Sequence, residues 1–203
     1  IPYVPPEKVV QFSADAYRLP KVRVRRPAHR VSENYIAKYN KAYALMRALP
    51  DTDPRSLKVQ ADLHCAFCNG AYKQGGSAGD TPLQVHFSWL FLPWHRLYIY
   101  FHERILASLI GDPSFALVYW NWDDQTNGGN VMPAIFNQSD KYPALYDTNR
   151  NPAHVPPSIA TLALGTSDLT DEELVANNIS VMFNSLIKPT TQTLFFGAAP
   201  PNE

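Results

Sequence analysis

QVHFSWLFLPWHRLYIYFHERIL, residues 84–106, decides the fold. From Phe87 onward it is apolar almost all round. A helix with so little polar surface is expected to be a buried, central one. Pro93 lies inside the run, where it either starts the main helix or kinks it. His86 and His95 are nine positions apart in this stretch. At about 100° per residue they fall on opposite faces of one straight helix. Both reach one metal only if the chain bends between them, and Pro93 can supply the bend.

The segment just before it, ADLHCAFCNGAY at 61–72, adds more soft ligands. Asp53-Pro54 reads as a helix start, a cap followed by proline in the first turn. That helix runs through Leu57, Val59 and Leu63 toward His64, which then approaches from the side. His64, Cys65, Cys68, His86 and His95 thus fall within a short span. Three neutral imidazoles suit copper or zinc, and a dry apolar cage suits such a metal. Two other readings stand beside this one. Cys65-Ala66-Phe67-Cys68 is spaced like a redox pair, without the strand-and-helix context that such a pair has. Cys65, Cys68, His64 and His86 have the donors of a structural zinc site, without regular spacing in its second half. His102, about two turns past His95 and close to its face, either supports the ligands from behind or is a core histidine. His29 and His154 lie near prolines in loops and read as ordinary surface or core groups. Trp89, Trp94, Trp120 and Trp122 read as core, or as the lining of a pocket for a flat substrate.

Working outward, Ser32 caps a helix to about Leu49. Ile36, Tyr39, Tyr43 and Met46 line one face of it. Residues 1–31 hold five prolines and a basic strip and read as an extended arm. Residues 111–169 are mostly turns. Thr170-Asp171-Glu172-Glu173 is a capping box that opens a last helix to about Ile187. The class is mainly α, a helical-bundle metal site with long, Pro-rich, ordered loops, divided as an arm at 1–31 and a metal-bearing portion at 32–203.

Composition sets the outer limits. Of 203 residues, 45% are hydrophobic and 18% charged, which excludes a disordered chain. Eighteen basic and eighteen acidic residues balance, so nothing suggests nucleic acid or an anionic membrane as a partner. No apolar run is long enough to span a membrane. The 18 prolines are well above the usual ~5%. Only two cysteines occur, so there is no disulfide scaffold. The N-terminus lacks the basic and apolar regions of a signal peptide. Two glycosylation sequons occur, at Asn137 and Asn178.

These stretches together resemble the plant polyphenol oxidases, the catechol oxidases and tyrosinases of the type 3 copper family. VRVRRPAH at 22–29, DPSFALVYWNWDD at 112–124, MPAIF at 132–136, LYDTNRN at 145–151 and FFGAA at 195–199 match in order, beside the two histidine segments. The resemblance implies a tyrosinase-like fold in which His64, His86 and His95 hold the first copper, CuA. It implies that Cys68 forms a thioether to the ring of His86. It also implies oxidation of o-diphenols to o-quinones with O2, preceded in some members by hydroxylation of monophenols. Cys65 stands where the family usually has a cysteine paired with one in an N-terminal segment, and no such partner is present. Phe67 stands where a tyrosine is frequent. The family's second copper, CuB, is held by an H-x-x-x-H pair and a further histidine. No H-x-x-x-H occurs here. The resemblance is therefore to an incomplete, CuA-bearing portion, with CuB expected from a second polypeptide or a continuation. Without CuB helices an apolar face is expected to be left bare. A truncated, non-catalytic copper-binding or storage-type relative is the competing reading. By resemblance the compartment is the plastid (thylakoid lumen), or a vacuolar or secretory one toward which the sequons point.

Overall fold

The computed structural model describes residues 22–75, 79–86, 88–163, 168–189, 191 and 195. Most of the expected arm, residues 1–21, lies outside them. The described chain is helical, and among the described residues there are only isolated β-bridges and no strand.

Among the described residues, four longer helices carry the fold: α1 (Glu33–Arg47), α2 (Leu57–Cys68), α3 (Phe91–Leu109) and α4 (Asp171–Met182). α1 has Glu33 in its first turn and Arg47 in its last, each complementing the helix dipole. Ile36, Tyr39, Ala42 and Met46 are buried at three- and four-residue steps.

α2 begins three residues later than Asp53-Pro54 predicts. The Arg55 guanidinium grips both oxygens of the Asp53 carboxylate, at 3.0 and 2.7 Å, and the Arg55 N–H donates to it as well. Asp53 therefore holds the entry turn. Ser56 caps the helix instead, its Oγ accepting from the Val59 N–H at 3.1 Å.

α2 and α3 end in the same way. Gly70 and Gly111 take left-handed φ values of +63° and +65°. The next residue's N–H then returns to a carbonyl five residues back, Ala71 to Ala66 and Asp112 to Ala107.

α3 starts at Phe91, so Pro93 lies in its first turn and opens the helix. The expectation that this helix is buried all round is corrected. Glu103, Leu106 and Ala107 are buried. Leu92, Leu97, Ile99 and Phe101 remain 40–55% exposed, with Trp89 and Leu90 just before them. The helix has little polar surface to turn outward, Arg96 being one exposed exception, so sides that lack a neighbour expose apolar surface.

α4 carries the expected capping box. Thr170 Oγ1 accepts from the Glu173 N–H, and the Glu173 carboxylate accepts from the Thr170 N–H. A π turn, Phe183–Ile187, follows it.

The chain forms two compact units. One joins the described residues up to Val24 to Ala44–Ala116 and holds α2 and α3. Its core includes Met46, Val85, Leu106 and Phe115. Glu103, also buried, is flanked by Arg23 at 3.1 Å and Arg104 at 3.3 Å. The other joins Arg25–Tyr43 to the described residues from Leu117 onward. It is built largely from turns that polar side chains hold in place. Asn178 accepts from the Leu162 N–H and donates to Ala160 O and Gln125 Oε1.

Candidate metal centre

Three segments of the first unit bring imidazoles together. His64 comes from the last turn and a half of α2. His86 comes from the bend before α3, where the buried Val85 anchors the chain and the His86 N–H donates to Gln84 Oε1. His95 comes from the second turn of α3. The ring centroids lie 5.5 Å apart for His64 and His86, 5.5 Å for His64 and His95, and 4.9 Å for His86 and His95. The bend that the nine-residue spacing demands is thus real. It lies in residues 88–90, with Ser88 accepting from the Leu90 N–H and donating to Gln84 O, rather than in a kinked helix.

The ring of His95 is fixed by the backbone. Its Nδ1 lies 2.6 Å from Phe91 O, and a carbonyl only accepts, so Nδ1 carries the proton. Nε2 is then the nitrogen left with a lone pair, the usual arrangement for a ligating histidine. Burial holds the His64 imidazole below its ordinary range, and the neighbouring His95 and His86 add to this. All three effects keep it neutral, as metal binding requires.

Cys68, one helical turn after His64, puts its Sγ 3.4 Å from His64 Nδ1 and 3.9 Å from His64 Nε2. Among the described residues, His64, Cys68 and His86 are the one group of His, Cys, Asp or Glu whose ligand atoms all lie within 4.8 Å of one another. The tightest trio therefore contains Cys68 in place of His95, whose ring stands beside it. Cys65, next to His64, is an exposed free thiol.

Aromatic rings surround the cluster. Trp94 and Tyr98 stack at 5.3 Å, nearly parallel, and each lies 5.7 Å from His64. Phe67 contacts Trp94 at 4.8 Å, and Phe91 contacts His95 at 4.6 Å. Tyr98 also donates its hydroxyl to Gln60 O, tying α3 to α2 one turn before His64. Tyr98, Gln60 and Phe91 were not singled out from the sequence. For Phe91 and Tyr98 the signal was there: they sit four before and three after His95, on its side of the helix.

The remaining candidates lie elsewhere. His102 is on α3 and outside the ligand-atom group, mostly buried, its imidazole held below its ordinary range by that burial. His29 and His154 are exposed singles. Of the two sequons, Asn137 is exposed. Asn178 is a correction: it is 0% exposed, and its amide nitrogen is spent on Ala160 and Gln125, which leaves no room for a glycan in the folded chain.

The sequence model of the tyrosinase family, described as the common central domain of tyrosinase, matches residues 54–185. A chloroplastic polyphenol oxidase of Vitis vinifera is 48% identical over 94% of this chain and 31% of its own length. A latent-form chloroplastic polyphenol oxidase of Prunus armeniaca is 46% identical over 98% of this chain and 33% of its own. Among solved structures, Grenache (Vitis vinifera) polyphenol oxidase superposes with a TM-score of 0.79 at 47% identity, covering 92% of this chain and 54% of that one. Latent apple tyrosinase gives 0.82 at 44% identity, covering 94% and 40%. The chain thus spans about a third of the length of these curated relatives.

Proposed function

The chain belongs to the tyrosinase family, and on that premise we propose that it supplies the CuA site of a copper oxidase that converts o-diphenols to o-quinones with O2. The observation that carries this is the convergence of His64, His86 and His95 from three chain segments, with ring centroids 4.9–5.5 Å apart. A tyrosinase-family domain implies copper, and the donors fit it: imidazoles, with a thiol sulfur and no carboxylate among them.

The chemistry that copper supplies when bound is electron transfer from the diphenol to dioxygen. In balance, two o-diphenols give up four electrons and four protons to one O2, yielding two o-quinones and two waters. The chain's own residues hold and orient. The Phe91 carbonyl keeps His95 in the tautomer with a free Nε2. Trp94, Tyr98, Phe67 and Phe91 keep the surroundings of the imidazoles apolar. The half-exposed ring of Phe91, beside His86 and His95, offers a flat aromatic face to a flat phenol.

Cys68 becomes a thioether to a ring carbon of His86 in this reading. The S–H and a ring C–H are lost as two protons and two electrons, the electrons passing to O2. The sulfur lies within reach, in the same 4.8 Å group as His86. His102, on α3 itself, supports the ligands from behind, and Asn137 is the exposed one of the two sequons. Residues 32–203 form the copper-bearing portion and residues 1–31 an arm. CuB comes from a continuation or a second polypeptide, which also covers bare apolar surface of α3. The plastid is the compartment, supported by relatives that are named chloroplastic.

The test is quinone formation from catechol. The copper-loaded chain alone should be inactive, and should turn over when combined with a polypeptide carrying the rest of a tyrosinase-type domain. Substituting His95→Ala should abolish that turnover. No turnover from the fully loaded pair would leave a non-catalytic copper-binding relative as the reading.

A further inference from the structure

We infer that, as long as Cys68 is a free thiol, His64, Cys68 and His86 form a copper(I) site of their own that captures the metal before the three imidazoles share it. The inference rests on the copper reading above but concerns a different donor set.

The geometry is that of a chelate already assembled. A metal with bonds of about 2.3 Å to sulfur and about 2.05 Å to nitrogen, at a tetrahedral angle, separates the two donors by roughly 3.6 Å. Cys68 Sγ and His64 Nδ1 are 3.4 Å apart, with Nε2 at 3.9 Å. His86 completes the trio within 4.8 Å. The pair sits one turn apart on α2, so helix geometry alone holds it, and all three residues are half-buried and reachable from solvent.

The donors select the ion. A thiolate with two imidazoles is soft and favours copper(I) or zinc, and the absence of carboxylates from the group disfavours calcium and magnesium. His95 stands outside the ligand-atom group, its Nδ1 bound to the Phe91 carbonyl. Once the sulfur is tied to a carbon of His86 it is no longer a thiolate. The ion then passes to the imidazoles, and His95 becomes necessary. Capture by Cys68 and final residence at His95 are thus successive states of one cluster.

Anaerobic competition for copper(I) against a chromophoric chelator tests this. The chain is used in a Cys65→Ser background, so that the exposed neighbouring thiol does not contribute, and with Cys68 verified as a free thiol. Cys68→Ser, Cys68→Ala and His86→Ala should each weaken copper(I) binding at least about tenfold, with unchanged helix content. His95→Ala should leave it nearly unchanged while weakening copper(II) binding. Unchanged copper(I) affinity in both Cys68 variants, or an equal loss in His95→Ala, would overturn the inference and leave the three-imidazole reading standing. A parent chain that binds neither copper(I) nor copper(II) would overturn both.

Discussion

His95 uses its two ring nitrogens differently, and that division is what makes it testable. Nδ1 is committed to the Phe91 carbonyl, so only Nε2 is available to a metal. His95→Gln can place an amide N–H near that carbonyl but offers no imidazole. It should keep the fold and lose copper(II), read by metal analysis beside far-UV circular dichroism. Copper retained at the parental level would remove His95 from the site. His102 makes the opposite case, a histidine that matters through burial. Its pKa is lowered in the folded chain, so the unfolded chain takes up a proton first as pH falls past about 6.5. Its contribution to stability is therefore full above that pH and is lost as pH drops through it toward the folded value. His102→Gln should make the melting temperature less sensitive to acidification between about pH 7 and about pH 5. Equal slopes for parent and variant would contradict this.

At the scale of elements, the two site helices are set by their ends. Ser56→Ala removes the cap of α2 and should cost about 1 kcal/mol. Gly111→Ala forces a Cβ into a left-handed turn that is otherwise open, at a cost of about 1 kcal/mol. Chemical denaturation checks both, and a loss near zero for either would mean that its end is not holding the helix. Much of this level was legible in the sequence. The capping box at Thr170 and the bend between His86 and His95 followed from local rules, and both are present. The start of α2 was not, because Asp53 and Ser56 are both good caps three residues apart. What separates them is that the Arg55 guanidinium occupies Asp53, a side-chain arrangement that no spacing reveals. The metal trio was half legible. Histidines in this number and setting pointed to a metal, and Cys68 follows His64 by one turn. That Cys68 approaches the cluster more tightly than His95 depends on how the α3 backbone holds the His95 ring.

For the whole molecule, the deciding feature is the apolar surface that α3 leaves bare. An apolar stretch tells how much surface wants cover, and not what covers it. Leu92, Leu97, Ile99 and Phe101 are each about half exposed. Covering them is worth on the order of 1 kcal/mol apiece. With 18 positive and 18 negative charges and a sequence pI near 7.2, little repulsion opposes association at neutral pH. The isolated chain should therefore self-associate. The double substitution Leu97→Glu, Phe101→Lys, which also places an i,i+4 pair in the favourable order, should shift it toward monomer without loss of copper. Light scattering beside metal analysis reads both, and undiminished association would mean that another surface drives it. The most direct measurement is the copper content of the purified, copper-loaded chain by itself. One copper per chain is the result predicted from three imidazoles in one cluster. None, or two, would contradict a single CuA site built by His64, His86 and His95.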